Sequence, residues 1–319
     1  MNAALKLRPI EPSRRIDLIF IDAGGGHRAA AIALKAVLER WRPSWRIRMV
    51  NLRDVLDPVD VLRRFTRVRA ENLYNYLLKH DLGIAMGTLL PALHLLVRRM
   101  HRREVSALAA FWRKPRPDLV VSLVPHFNRA IFEGLREAGG PRWQQVSSMV
   151  TILTDLADYP PNFWIERQDQ YVICGTARAA EQALAMGHSP DRVLRASGMI
   201  VRPEFYEPFT KCREAEQRRL GLVPGLPTGV VLFGGFGSRQ MLTIARQVAE
   251  ARVKTQLIFL CGHNQRLRER LLAMRLPFPH HVESGAISQQ RTRHGACWNI
   301  SRLMHPREQS CCWPLASRL

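Results

Sequence analysis

Short apolar runs alternate with segments whose apolar residues recur at helical spacing, and this alternation persists to about residue 205. Runs at 16–21, 47–52, 118–124, 148–154 and 170–174 have the length and bounds of buried strands. Helical periods at 29–40, 128–138 and 177–186 fall between them. Strand and helix in turn are the signature of βαβ units, and predict a parallel sheet covered by helices on its faces. Residues 197–205 read as a junction, after which the rhythm resumes: a strand at 229–233, a helix at 241–252, a strand at 256–262 and a helix at 264–274. From about residue 282 neither period persists. The second region is thereby expected to hold only two strands and two helices, fewer than an open α/β sheet normally uses.

Each region contains one glycine-rich strand-to-helix connection. The first is Asp22-Ala23-Gly24-Gly25-Gly26-His27-Arg28, placed between the strand at 16–21 and a strongly helix-forming alanine-rich run. The second is Gly234-Gly235-Phe236-Gly237-Ser238. Such turns let backbone N–H groups and a helix N-terminus approach an anionic ligand. Two of them, each opening its own βα unit, predict two Rossmann-like domains with a cleft between them.

Composition narrows the partners without choosing one. The 319 residues carry 48 Lys and Arg against 27 Asp and Glu, a net charge of +21 supplied mostly by arginine. Such a balance favours phospholipid headgroups, phosphorylated ligands or nucleic acid. No nucleic-acid-binding motif accompanies the charge. The N-terminus lacks the apolar core of a signal peptide, and the longest apolar stretch, 84–97, is too short to span a bilayer. That stretch runs into Arg98-Arg99-Met100-His101-Arg102-Arg103, a pairing suited either to an anionic headgroup layer or to a core helix with a solvated basic end. The six cysteines follow no disulfide framework and no C-x-x-C motif, which fits a reducing cytosol.

Three places offer chemistry. His27 either acts as a general base titrating near neutrality or caps a helix. The loop at 234–238 either holds a diphosphate or is a tight turn. The segment 151–164 ends a strand with Asp155 and Asp158; Asp155 stands where α/β proteins place catalytic groups, or caps the next turn. No metal-ligand cluster is evident there. His294, Cys297, His305 and Cys311 match no common zinc spacing.

Taken in order, residues 22–29, Glu71-Asn72-Leu73-Tyr74-Asn75, Leu153-Thr154-Asp155, Gly198-Met199-Ile200-Val201-Arg202-Pro203, Leu232 to Ser238 and Cys261-Gly262-His263-Asn264 resemble the monogalactosyldiacylglycerol synthases and processive diacylglycerol glucosyltransferases. More distantly they are similar to the N-acetylglucosaminyltransferase that makes lipid II. The resemblance covers about residues 14–281. It implies an α/β GT-B fold of two Rossmann-like domains facing a cleft. Residues 14–205 would take the lipid acceptor, and 206–281 would form the first part of a UDP-sugar domain. It implies an inverting transfer of a hexose from a UDP-sugar donor to the hydroxyl of diacylglycerol, with no cofactor or metal, at the inner face of a membrane bearing anionic lipids. His27 would be the base and Asp155 would support the acceptor side. Gly25 and Gly26 would line the first loop. Gly234, Gly235, Gly237 and Ser238 would line the diphosphate loop. In plant members a histidine precedes the proline that follows the Asp155 position; here Pro160 stands there. The family also continues with a Gly-Pro-rich loop and a Ser-Glu pair that grip the donor, which this chain lacks. Residues 282–319 are therefore expected to be an aberrant tail, as after a frameshift, leaving the C-terminal domain incomplete and transfer impaired. The competing expectations are a catalytically degenerate basic lipid-binding protein and a sugar-nucleotide epimerase of GT-B fold.

Overall fold

The computed structural model describes residues 13–22, 26–57, 99–143, 147–206 and 212–285. The chain divides between Glu204 and Phe205 into two compact units. The resemblance segment 71–75, the apolar stretch 84–97, Gly25 and residues 286–319 lie outside the described residues, together with the four residues weighed for zinc.

The first unit is built on a six-stranded parallel sheet. Its elements are β1 (Arg15–Phe20), α1 (Gly26–Trp41), β2 (Arg46–Asn51), α2 (Leu52–Leu56), the helix α3 (99–113), β3 (Leu119–Ser122), α4 (Asn128–Gly139), β4 (Ser148–Ile152), β5 (Tyr171–Cys174), α5 (Ala177–Ala185) and β6 (Val193–Arg195). Spatially the strands run β2-β1-β3-β4-β5-β6. The chain leaves β1 toward one side of the sheet and returns on its other side at β3. The carboxyl ends of β1 and β3 thus flank a topological switch point, the place where open α/β sheets bind ligands. Apolar side chains cover both faces of the central strands, as a parallel sheet requires: five of the six β1 residues are buried. Trp112, Leu108 and Ala109 from α3 pack with Ile131, Leu135 and Phe132 from α4 over one face. The helices approach closely enough that a Cβ on Gly134 would stand 2.6 Å from that of Leu108.

One charged group lies inside this sheet. Asp17, 3% exposed, accepts from Arg48 Nε at 2.9 Å and Nη2 at 2.5 Å, and from Trp112 Nε1 at 3.0 Å. A buried carboxylate is tolerable only when paired and hydrogen-bonded in this way.

The second unit holds α6 (Arg213–Arg219), β7 (Thr228–Leu232), α7 (Gln240–Glu250), β8 (Gln256–Leu260), α8 (Gln265–Leu272) and β9 (His280–Glu283). Its strands form a parallel sheet, β7-β8-β9. The third strand corrects the reading that only two strands and two helices precede residue 282. β9 pairs with β8 from Leu257 to Leu260, and Val282 is buried beside Phe259, Leu267 and Leu271. The strand is hard to read because Val282 is its sole buried residue. The short helix α6 and strand β6 also went unread, being seven and three residues long.

Candidate functional site

His27 is the second residue of α1, so the glycine turn delivers it into the first helical turn rather than leaving it at a loop tip. Its ring is half-buried and lies at the carboxyl edge of the sheet, among groups that leave β3 and β4. Thr154 Oγ1 is 3.1 Å from His27 Nδ1. The Trp164 ring stands 5.7 Å away, tilted by 52°. Burial lowers the imidazole pKa below its ordinary value; the negative charge of Asp155 and a backbone hydrogen bond to Leu123 oppose that fall. The ring is therefore neutral at physiological pH and beside a carboxylate that would stabilise it once protonated. Gly26, just before it, has open space where a Cβ would be.

The two carboxylates after β4 have separate tasks. Asp155 is exposed, and its Oδ2 accepts from Trp164 Nε1 at 2.7 Å. Asp158 is 3% exposed and accepts three backbone N–H groups, from Asn162 and Phe163 at 2.9 Å and from Trp164 at 2.6 Å. Turn-capping, raised as an alternative for Asp155, belongs to Asp158. Gln182 fixes the same loop by accepting the Asp158 N–H and donating to its carbonyl. The sequence flagged this segment for its acids, but gave no sign that its tryptophan connects them.

In the second unit the loop after β7 is a 3-10 turn, Gly234–Phe236, with Gly234 and Gly237 at φ of 62° and 61°. Cβ atoms on Gly234 or Gly235 would meet nothing within 4 Å, so that side of the loop is open. From behind, the turn after β8 supports it. His263 N donates to the Gly235 carbonyl at 2.7 Å, and Gly262 lies so close, at φ 57°, that a Cβ would stand 2.1 Å from that oxygen. Gly285, just past β9, donates to the Gly262 carbonyl at 2.8 Å. The third strand thus buttresses the glycine loop through two layers of backbone. Ser238 Oγ accepts from Gln240 N at 3.2 Å at the start of α7.

Of the site residues read from sequence, His27 and Asp155 come together with Thr154 and Trp164 in the first unit. Gly234, Gly235, Gly237 and Ser238 share one loop in the second. Among the described residues no group of three or more His, Cys, Asp or Glu side chains is placed to hold a metal ion, and no helix is long and apolar enough to cross a membrane. Away from the site, Glu104 on α3 is 4% exposed with one carboxyl oxygen unpaired; burial and the neighbouring Glu166 push its pKa up to about 7.

The fold is α/β, with two successive parallel-sheet units. No family model matches the chain. Across about nine-tenths of its length it is similar to monogalactosyldiacylglycerol synthases. It is 25% identical to monogalactosyldiacylglycerol synthase 1 of Arabidopsis thaliana, over 92% of this chain and 55% of that one. It is likewise 25% identical to the synthase of Spinacia oleracea, over 93% of this chain and 57% of that one. The chain spans about half the length of the curated relatives it matches. Among solved structures, Anabaena HepE in complex with UDP and glucose aligns with a TM-score of 0.48 and 13% identity, over 91% of this chain and 71% of that one. The resemblance drawn from the ordered motifs thus holds over most of the chain, and the epimerase alternative is not favoured.

Proposed function

We propose that this chain is an inverting glycosyltransferase that moves a hexose from a UDP-sugar to the hydroxyl of diacylglycerol. The observation that carries the reading is the neutral His27 ring at the sheet's switch point, with Asp155 acting on its charge, in a chain similar to monogalactosyldiacylglycerol synthases. His27 accepts the proton of the acceptor hydroxyl as its oxygen bonds to the anomeric carbon. The bond from that carbon to the UDP oxygen breaks, and UDP leaves with the electron pair. The Asp155 charge stabilises the imidazolium formed in the step. The open glycine loop, Gly234 to Ser238, receives the diphosphate through backbone N–H groups, in the manner of other glycine turns before helices.

The acceptor is a membrane lipid, so the protein works as a peripheral protein on an anionic bilayer. The exposed side of α3, which carries Arg99, Arg102, Arg103 and Arg113, supports that placement. The same arginines also favour a second reading, a basic lipid-binding protein without transfer activity. Radiolabelled UDP-galactose and UDP-glucose, offered with vesicles of dioleoylglycerol and phosphatidylglycerol, separate the two. Glycosyldiacylglycerol formed by the protein and lost in His27→Ala supports transfer. Salt-sensitive vesicle binding with no labelled lipid leaves only the second reading.

A further inference from the structure

Beneath the His27 site lies a polar residue that the proposed chemistry does not use. Asn128, the first residue of α4, is fully buried. Its amide makes four hydrogen bonds. The Ser122 and Thr151 hydroxyls donate to its Oδ1 at 2.6 and 3.2 Å. Its Nδ2 donates to the carbonyls of Val124 at 3.1 Å and Trp164 at 2.9 Å. The two carbonyls can only accept, which fixes the orientation of the amide and uses its full capacity. A buried amide whose whole hydrogen-bonding capacity is used in this way rigidifies the elements it joins. Here it joins the ends of β3 and β4, the start of α4 and the loop that carries Trp164.

Trp164 is the residue where those constraints meet. Its N–H is held by Asp158 and its carbonyl by Asn128. With both sides of the residue fixed, the indole, 0% exposed, is directed to one place. There its Nε1–H meets Asp155 and its ring stands beside His27. We propose that Asn128 is a positioning residue for the acid–base site, acting through Trp164 to aim the Asp155 carboxylate and to wall the His27 ring from water. This rests on the reading of His27 as the base.

The test uses Asn128→Asp and Trp164→Phe in the full chain. The first keeps the side chain's shape but replaces its donors with an oxygen facing two carbonyls. The second keeps an aromatic ring in the slot and removes the N–H to Asp155 together with part of the indole's bulk. For each, the His27 ring is titrated by NMR, and kcat and KM for UDP-galactose are measured with dioleoylglycerol vesicles. Asn128→Asp is expected to move the His27 midpoint up toward the ordinary value as water reaches the ring. It should lower kcat tenfold or more with donor KM within twofold. Trp164→Phe is expected to lower kcat severalfold, again without a donor KM effect, and it decides the matter if Asn128→Asp fails to fold. A purely structural Asn128 would lower the melting temperature and leave the titration alone. Folded variants with the parent's titration and the parent's kcat overturn the proposal. If the parent transfers no sugar at all, the glycosyltransferase reading falls, whereas a His27 titration altered in either variant still supports the positioning role.

Discussion

The two units place functional groups by opposite means. In the first, side chains do the holding: the Trp164 indole N–H holds Asp155, the Asp158 and Asn128 side chains hold the Trp164 backbone, and Thr154 meets His27. In the second, backbone holds backbone: Gly285 supports Gly262, and His263 N supports Gly235, with glycines at 237 and 262 where a Cβ would collide. A site of the first kind can be retuned by changing one polar atom. A site of the second kind tolerates almost no added atom where its backbone layers meet, because its geometry is the chain path itself. The contrast predicts which substitutions act on chemistry and which act on binding.

The largest effect should come from the first unit. Replacing His27 with Ala removes the proposed base and should lower the transfer rate by about a hundred- to ten-thousand-fold, the usual range for general base catalysis. The ring is half-buried and no core cluster depends on it, so the melting temperature should change little. Initial rates beside a thermal melt check both. A rate within tenfold of the parent's would remove His27 from the chemistry and collapse the contrast. Next comes the second unit. Gly262→Ala places a methyl group 2.1 Å from the Gly235 oxygen at φ 57°. The glycine loop must shift, and if it receives the diphosphate as proposed, UDP affinity should fall at least tenfold, consistent with about 1–3 kcal/mol of backbone strain. The His27 titration should not move. Calorimetric titration with UDP reads the first quantity and NMR the second; UDP binding as tight as the parent's would show that the loop does not receive the diphosphate.

The same contrast explains what the sequence reveals. Glycine turns are written in the chain as glycines, and the loop at 234–238 was legible for that reason. His27 was legible because it closes such a turn. The side-chain lattice was not: Asn128 and Trp164 are 36 positions apart, and neither lies in a motif of its own. Asp158 differs from Asp155 in burial and in hydrogen-bond partners, which a spacing of three residues does not encode. The Asp17–Arg48–Trp112 group likewise joins residues from β1, β2 and α3 that only the folded sheet brings together. Strand β9 was missed because Val282 is the one residue of the four that enters the core. The parallel architecture, by contrast, follows from the long apolar runs of β1, β3 and β8, which the helices cover on both faces.

A smaller effect tests whether a polar group away from the lattice behaves differently. Among the described residues one oxygen of Glu104 has no partner, and burial beside Glu166 pushes its pKa up to about 7 from 4.5. Because its folded pKa is raised, the folded state keeps a proton that the unfolded chain releases. The stabilisation this gives is complete below pH 4.5 and is lost as pH rises through about 7. Glu104→Gln cannot ionise. It should melt with the parent at pH 4 and several degrees above it at pH 8, for a gain on the order of 2 kcal/mol. Equal melting at pH 8 would mean that Glu104 finds a partner there.

The finest prediction separates charge from geometry at the site itself. Burial lowers the His27 pKa, and Asp155 works against it. The acid limb of the rate profile should therefore have its midpoint below the ordinary value of 6.5. Asp155→Asn keeps an oxygen to accept the Trp164 N–H, so the lattice stays in place while the negative charge is lost. The midpoint should then move further down, because the charge that opposes the fall is gone. The rate on the plateau should also fall, since the imidazolium loses its stabilising charge. An upward shift would mean that the substitution opens the ring to water, making Asp155 a structural part of the wall. An unmoved midpoint with a lowered plateau would place its charge on the acceptor instead of the histidine. No single-atom exchange in the second unit offers a comparable test, because the atoms that shape its loop belong to the backbone.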